Sequence, residues 1–355
     1  MDPRTQAYAR LLVDCINPQP GWQVLVRSQP LGRALVEEIT RELGRRRARA
    51  LVRLSFDQSG GPFVREAPME LLTTVADIDR HEIENGNSYM AILALENTRS
   101  NADIPAERLS ARQVALREPH LPYLTDEKPW VGCYYPTAAA AQDAGLPLPV
   151  FADFLYGACL IDWHALREQM ERIAEHFDLS DHVRITGPDT DITFSLEGRN
   201  GLVDALRANM PGGEVFYSPV EDSAEGVITY SEYPACYLGH EVGGVRLEFA
   251  GGRIVEASAK TNEEFLLGTL DTDEGARRLG EFGIGCNPGI QRHMKNTLFD
   301  EKMEGTIHLA VGHGFPQIGG LNTSGVHWDM VKDLRNGGRI ELDGKVVQED
   351  GAWAL

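Results

Sequence analysis

Short apolar segments alternate with amphipathic segments along the first half of the sequence. Residues 22–26 and 50–54 are strand-like, and residues 34–43 between them carry leucine and isoleucine at helical spacing. Regular alternation of strands and helices is typical of a parallel sheet that is covered by helices on both faces. We therefore expect residues 1–180 to form an α/β domain with a parallel sheet.

The pattern changes after about residue 180, where glycine pairs begin to separate the strand-like segments. These segments lie at residues 182–185, 191–196, 214–218, 226–230, 245–249 and 253–257. Tight glycine turns between short strands are typical of antiparallel hairpins. The end of the chain, residues 338–355, predicts a further hairpin with a turn at Asp343-Gly344. We expect residues 181–355 to form a mixed, mostly antiparallel α+β domain, which also carries the predicted metal site described below.

Charge and composition exclude several classes of partner. The chain has 34 basic and 53 acidic residues, a formal net charge of −19, which disfavours binding to nucleic acid or anionic lipid. No apolar run reaches the ~18 residues that a membrane span needs, and the first ten residues lack the apolar core of a signal peptide. The five cysteines are scattered and never form a CxxC pair. These features predict a soluble, cytoplasmic protein.

The tripeptide His327-Trp328-Asp329 is the most informative local feature. On a strand, residues two apart point to the same face, so His327 and Asp329 would project side by side with Trp328 buried behind them. An imidazole and a carboxylate together suit zinc, manganese, cobalt or iron. An HxD pair alone is a weak signal, since most such pairs are incidental.

Three further residues strengthen the case for a metal centre. His308 lies in an apolar strand-like segment, where an imidazole must be hydrogen-bonded or ligated. Glu214 follows a glycine turn at the start of an apolar strand. We interpret Glu281 as the end of a helix over residues 273–280, where the helix dipole disfavours a carboxylate and calls for a compensating partner such as a metal ion. Taken singly, the histidine could equally be an ordinary core residue, and the two glutamates could be exposed charges.

The number of ions depends on which residues are counted as ligands. His308, His327 and Asp329 alone would form the two-histidine, one-carboxylate set of mononuclear iron oxygenases. Adding Glu214 and Glu281 gives three carboxylates, which can neutralise and bridge two divalent ions. A two-metal site is suited to hydrolysis, because it activates a water molecule and polarises a carbonyl group.

At these positions the sequence resembles the M29 family of metallo-aminopeptidases, also called the aminopeptidase T family. Five blocks in the same order carry the resemblance: TDITFSLEGR (190–199), NMPGGEVF (209–216), DEGARRLGEFGIGCNPGI (273–290), NTLFDEKMEGTIHLAVG (296–312) and NTSGVHWD (322–329). They cover roughly residues 185–335. The first half of the chain is compatible with the family's α/β domain but carries no comparably sharp motif.

The resemblance implies an aminopeptidase, or a related amidohydrolase, that cleaves an amide bond next to a free amine. It implies two divalent ions, zinc, cobalt or manganese, at positions that match Glu214, Glu281, His308, His327 and Asp329. The attacking water would be activated by both ions, with Glu281, or with less support Glu214, moving its proton. Peptides or small amides would be the substrates, and members of the family form homodimers.

One position departs from the family pattern. The family places a tyrosine seven residues after the histidine that matches His308, and this chain has Phe315 there. A phenol can donate a hydrogen bond to a developing oxyanion and a phenyl group cannot, a loss that can cost on the order of a hundredfold in rate. Three explanations stay open: His313 takes over the role, activity on peptides is weak, or the substrate differs. A plain loop position for His313 is an equal alternative.

Two other function classes remain as alternatives. Ring-cleaving dioxygenases similar to 2,5-dihydroxypyridine 5,6-dioxygenase share the HxD block but hold one iron(II), with histidine in place of Glu281 and no partners for Glu214 and His308. Both glutamates are present here, which favours hydrolysis. A non-catalytic binder is the third class, and the intact ligand set disfavours it because unpaired buried carboxylates destabilise a fold.

Overall fold

A computed structural model of the chain describes residues 2–56, 60–125 and 127–355. The chain divides into two compact units, one formed by Met1–Ile161 with Leu206–Gly212 and the other by Asp162–Ala205 with Gly213–Leu355. Within the described ranges, no helix is long and apolar enough to cross a membrane.

Helices and strands follow each other in the order that the sequence patterns suggest, with several short additions. The helices are α1 (Arg4–Ile16), α2 (Arg33–Arg45), α3 (Gly61–Glu66), α4 (Met69–Leu72), α5 (Asp77–Asn85), α6 (Ala106–Leu124), α7 (Ala138–Asp143), α8 (Leu148–Cys159), α9 (Trp163–Asp178), α10 (Glu263–Leu270) and α11 (Thr297–Asp300). The strands are β1 (Gln23–Ser28), β2 (Arg49–Leu54), β3 (Ser88–Leu93), β4 (Trp130–Tyr134), β5 (His182–Gly187), β6 (Thr190–Ser195), β7 (Leu202–Asp204), β8 (Ala208–Met210), β9 (Glu214–Tyr217), β10 (Glu225–Tyr230), β11 (Ala235–Tyr237), β12 (His240–Val242), β13 (Val245–Ala250), β14 (Arg253–Ser258), β15 (Leu279–Gly285), β16 (Thr306–Gly312), β17 (His327–Asp333), β18 (Arg339–Leu342), β19 (Lys345–Glu349) and β20 (Ala352–Trp353). Short 3₁₀ turns lie at Pro30–Gly32, Glu274–Arg277 and Pro316–Ile318.

The first unit contains the parallel sheet that the alternating pattern predicts. Its strands are ordered β2-β1-β3-β4-β8, and every neighbouring pair is parallel. Val24, Leu25 and Val26 are all fully buried. Successive strand residues point to opposite faces, so their shared burial means that both faces of the sheet are covered. The prediction of an α/β domain is confirmed.

Helix α9 belongs to the second unit, although the sequence analysis assigned residues up to 180 to the first. The Asp162 carboxylate caps the helix by accepting hydrogen bonds from two main-chain amides of its first turn. Its apolar stripe, from Trp163 to Phe177, is buried as a packing surface. The Tyr217 hydroxyl on β9 donates to the main-chain oxygen of Ala174 on α9, at 3.2 Å. The stripe packs on strands of the second unit, so α9 is grouped with that unit, which begins at Asp162.

The second unit is built mainly from antiparallel sheets, as its glycine turns predict. One sheet has the order β14-β13-β10-β6-β5-β18-β19-β20, and a second has the order β17-β16-β15-β9-β7. The hairpin of β18 and β19 turns at Asp343 and Gly344, which have φ angles of 48° and 80°. Two consecutive positive φ angles match the twist of a two-residue hairpin, so this predicted turn is confirmed.

The interpretation of Glu281 as a helix end is wrong. Only a single 3₁₀ turn forms at Glu274–Arg277, capped by the Asp273 side chain, and Glu281 lies inside β15. Strand β15 pairs with β16 on one side and β9 on the other, and these long-range pairings outweigh the local helical pattern of the sequence. The helix dipole therefore gives no reason to expect a metal ion at Glu281. The reason is instead that its carboxylate is buried, since a buried charge needs a compensating partner.

Candidate metal centre

The register of β16 and β17 brings three of the candidate ligands onto one face of the five-stranded sheet. Ala310 lies opposite Asp329, and Gly312 lies opposite His327. Residues that face each other across an antiparallel pair share a face, and so do alternate residues of one strand. His308, two residues before Ala310, therefore projects to the same side as Asp329 and His327, as the HxD spacing predicts.

The two glutamates join this face from the next strands. Glu281 on β15 also lies opposite Ala310, after a β-bulge that shifts the register between Leu279 and Glu281. Glu214 on β9 lies opposite Gly285, two positions after Gly283 on β15. Four adjacent strands thus contribute ligands to one surface, and Ala310 and Gly283 lie between those ligands.

Glycine is required on this face because the ligands and a covering loop occupy the space of a side chain. A Cβ atom at Gly283 would lie 2.0 Å from Cε1 of His308, so the imidazole rests directly on the glycine. A Cβ atom at Gly285 would lie 2.1 Å from the main-chain oxygen of Met303. The second contact allows the loop after α11 to lie over the sheet beside the candidate ligands.

This loop contributes two charged residues that the sequence analysis missed, Glu301 and Lys302. Glu301 approaches Glu214 and His308, and its main-chain oxygen accepts a hydrogen bond from Nδ1 of His308 at 3.1 Å. The Lys302 side chain is fully buried, and its Nζ lies 3.1 Å from Oε1 of Glu214 and also contacts the Glu301 carboxylate. The signal was present in the segment DEKMEGTIH, but an acid seven residues from a histidine has no fixed geometry when a loop joins them.

Six side chains, here called the ligand cluster, fall into two groups that could each hold a metal ion. The ligand atoms of each group lie within 4.8 Å of one another. The inner group is Glu214, Glu301 and His308, and the outer group is Glu281, His327 and Asp329.

Glu281, a member of the outer group, also approaches the inner group. Its Oε1 is 3.5 Å from Nε2 of His308, and its Oε2 is 3.1 Å from Nε2 of His327. The two oxygens of this carboxylate are thus directed to histidines of different groups, and Glu281 could contribute a ligand to either ion.

The residues present fit divalent metal ions. Among the residues that the structure describes, Oε2 of Glu214, Nε2 of His308 and Oδ1 of Asp329 are buried without a hydrogen-bond partner. Such atoms are costly unless a ligand satisfies them. Each histidine also engages a main-chain oxygen through Nδ1, at 3.1 Å for His308 and 2.9 Å for His327. That contact directs Nε2 into the cluster, which is the usual way that a protein orients a metal-binding imidazole.

The charges of the ligand cluster partly compensate one another. Burial alone would lower the pKa of His308, but Glu281 and Glu214 raise it to about 10. His327 behaves likewise: burial opposes protonation, and Asp329 and Glu281 raise its pKa to about 10. Burial would raise the pKa of Glu281, yet the neighbouring His308 and His327 lower it to about 2. Binding of metal ions must therefore displace protons from both imidazoles.

Burial dominates the pKa of Asp329 and Glu214, whereas neighbouring carboxylates dominate that of Lys302. Burial raises the pKa of Asp329 to about 6, against the pull of His327, and it raises the pKa of Glu214 well above its usual value, against the pull of Lys302. Burial would lower the pKa of Lys302, but Glu214 and Glu301 hold it above its ordinary value. We describe Lys302 and Glu214 as an ion pair, since the ammonium lies within hydrogen-bonding distance of the carboxylate.

The structure also places the two remaining candidates, His313 and Phe315, at this site. The main-chain oxygen of His313 accepts the Nδ1 contact of His327. The Phe315 ring lies edge-on to the His327 ring, with centroids 5.3 Å apart, and 5.2 Å from the Phe216 ring. Phe315 therefore forms an apolar wall beside the outer group, at the position where a tyrosine would present a hydroxyl.

Comparisons with known proteins identify relatives of this chain. The family model described as thermophilic metalloprotease (M29) matches residues 1–353. Aminopeptidase AmpS of Bacillus subtilis (strain 168) is 32% identical over 222 residues, which cover 54% of this chain and 53% of that protein. Aminopeptidase 2 of Geobacillus stearothermophilus is 25% identical over 98% of this chain and 97% of its own length. Aminopeptidase T of Thermus aquaticus is 38% identical, and that alignment covers 46% of this chain and 45% of the relative.

A solved structure shows the same fold. Wild-type AmpT from Thermus thermophilus superposes with a TM-score of 0.84 at 23% identity, covering 99% of both chains. The α/β fold is thus confirmed, and the matches support a metal-dependent hydrolase of the aminopeptidase type. They give no support to the ring-cleaving dioxygenase alternative. Since the family model spans nearly the whole sequence, the chain belongs to the M29 family of metallopeptidases.

Proposed function

We propose that this protein is an aminopeptidase that holds two divalent ions, zinc, cobalt or manganese, in its ligand cluster. The observation that carries the proposal is the division of the cluster into two three-residue groups, with the oxygens of Glu281 directed to histidines of different groups. Both groups combine carboxylates with one imidazole, the donor set that such ions accept. The five residues predicted from the sequence are retained as ligands, and Glu301 is added as the sixth.

The outer group forms the side from which a substrate approaches. The His327 side chain is 31% exposed, whereas the other four ligands predicted from the sequence are at most 9% exposed. Phe315 and Phe216 pack beside it and shield one edge of the site.

Two bound ions would polarise the scissile carbonyl and lower the pKa of a water molecule. The residues of the chain would orient the metal-binding side chains and transfer the proton. Glu281 can receive the proton of the attacking water and return it to the leaving amine, because its two oxygens reach both groups. The main-chain contacts of His308 and His327 hold both imidazoles in one orientation. Phe315 offers no hydrogen bond to the oxyanion, so we expect slow turnover unless His313 donates one.

Hydrolysis of amino-acid p-nitroanilides tests the proposal, with the N-acetylated compounds as substrates that lack a free amine. We expect turnover only of the free-amine compounds and close to two ions per chain after gentle purification. Glu281→Ala and His327→Ala should each lower kcat by more than about a hundredfold, since each removes a ligand. His164→Ala is the control, because His164 is exposed on α9 and is not one of the six side chains of the ligand cluster.

Two results would contradict this function. Full activity of the Glu281 and His327 variants would remove the cluster from the reaction. Oxygen uptake with a dihydroxypyridine, without turnover of any amide, would restore the dioxygenase alternative.

A homodimer and a cytoplasmic location complete the proposal. The family resemblance supports the dimer, and the free thiols of Cys133, Cys236 and Cys286 support a reducing compartment. Sedimentation equilibrium and cell fractionation test these two points.

A further inference from the structure

A buried ammonium group lies directly beside the candidate metal site. Lys302 has no exposed side-chain surface, and its Nζ lies 3.1 Å from Oε1 of Glu214 and contacts the carboxylate of Glu301. Lysine is almost never fully buried unless it is paired. Here it is paired with two residues of the inner group, so a cation of the protein occupies the neighbourhood in which a metal cation would bind.

The charge balance of the cluster shows what this lysine changes. With its carboxyl groups ionised and its imidazoles neutral, as metal binding requires, the cluster has four negative charges, from Glu214, Glu281, Glu301 and Asp329. Lys302 reduces the net charge to three negative. A first divalent ion then leaves one negative charge, and a second leaves one positive charge buried in the protein. Without Lys302, two ions would neutralise the cluster.

The position of Lys302 assigns this effect to the inner group. Its ammonium engages Oε1 of Glu214, while Oε2 of the same carboxylate lies 3.6 Å from Nε2 of His308 and has no hydrogen-bond partner within the described residues. One oxygen thus stays available for an ion, and Lys302 does not block the group. It acts through charge, because a unit charge within a few ångströms is weakly screened in a buried site.

We propose that Lys302 is a built-in counter-ion that makes the ion of the inner group the weakly bound one of the pair. When that ion is absent, the ammonium holds Glu214 and Glu301 together in its place. Lys302 is a positioning residue and does not contact the substrate. The inference rests on the proposed two-metal function and adds that the two ions bind with unequal affinity.

Titration of the metal-stripped full chain with Zn²⁺, followed by calorimetry, tests the inference in the wild type and in Lys302→Met. The wild type should bind two ions in steps that differ in affinity by about tenfold or more. The methionine keeps most of the side-chain volume and removes the charge. We expect the weaker step of Lys302→Met to tighten by about tenfold or more, with the stronger step changed far less.

Lys332→Met is the matched control. Lys332 is also fully buried, and its Nζ donates to the main-chain oxygen of Thr229 and to Glu232, both at 2.8 Å. Lys332 is an odd number of positions from His327 and Asp329 on β17, so its side chain projects from the opposite face of the strand. This variant should lose stability with and without metal and keep both affinities of the wild type.

Thermal unfolding gives a second readout that does not depend on activity. Metal-free Lys302→Met should have a lower Tm than the metal-free wild type, because Glu214 and Glu301 lose the ammonium group that they share. Saturating Zn²⁺ should narrow the Tm difference between Lys302→Met and the wild type. It should leave the Tm difference between Lys332→Met and the wild type unchanged.

Several outcomes would overturn the inference. If the affinity of the weaker step is unchanged in Lys302→Met, the ammonium charge has no effect on metal binding. If that affinity falls further, Lys302 only orients Glu214 for the metal. If Lys302→Met does not fold, two wild-type steps of equal affinity would overturn it equally. A wild type that binds no divalent ion would instead refute the proposed function, whereas binding and hydrolysis with an insensitive Lys302 would refute the inference alone.

Discussion

Substitution of Gly283 by alanine gives a sharp test of how the metal site is built. The added Cβ would lie 2.0 Å from Cε1 and 2.1 Å from Nε2 of His308, against about 3.4 Å for an ordinary contact. The imidazole would have to retreat by about 1.4 Å, the difference between those two distances. His308 is fully buried and bonded to the main-chain oxygen of Glu301, so it cannot move without breaking that contact.

A shift of this size should affect catalysis more than folding. Misplacement of a catalytic group by about 1 Å can cost on the order of a hundredfold in rate. Overpacking of a buried site costs about 1–3 kcal/mol of stability. We therefore expect Gly283→Ala to fold, to lose kcat/KM on leucine p-nitroanilide by about a hundredfold or more, and to retain less metal after dialysis.

The control for this experiment is Gly268→Ala. Gly268 lies within helix α10, and apart from its chain neighbours and the backbone of its own helix nothing lies within 4 Å of an added Cβ. That variant should keep full activity and gain up to about 1 kcal/mol, because alanine favours helix over glycine. A Gly283→Ala enzyme with metal content and kcat/KM close to the wild type would refute the packing argument.

Three further predictions follow from individual contacts. In EDTA, the stability that His308 contributes is complete below its unfolded pKa of 6.5 and is lost as pH rises through about 10, while that of Glu281 is present above 4.5 and is lost as pH falls through about 2. The free energy of unfolding by urea should accordingly be greatest between about pH 4.5 and 6.5 for this pair, and a maximum near pH 9 would contradict it. Phe315→Tyr should raise kcat by about tenfold or more with little change in KM, because it restores an oxyanion donor; a lower kcat would show that the apolar wall matters more. Asp162→Ala should cost about 1 kcal/mol in thermal unfolding by removing the cap of α9, with kcat unchanged.

The sequence by itself determined those features that depend on local spacing. His327 and Asp329 are two residues apart on a strand, so their side chains share a face in any sheet that contains them. The same reasoning placed Trp328 behind them, where it is buried. Alternating strands and helices likewise required a parallel sheet, and the Asp343-Gly344 turn required a hairpin, since both depend on neighbouring residues.

Only the tertiary structure decided which distant residues meet. Glu281 was misread as a helix end because its strand is stabilised by pairing with β16 and β9, partners that no local pattern reveals. Glu301 and Lys302 reach the other ligands through a loop that lies on Gly285, a contact that exists only in the assembled sheet. The apolar stripe of helix α9 does not specify which sheet it packs on, so only the tertiary structure assigns this helix to the second unit. Periodicity specifies which face of an element is buried, whereas the partner of that face depends on contacts across the whole chain.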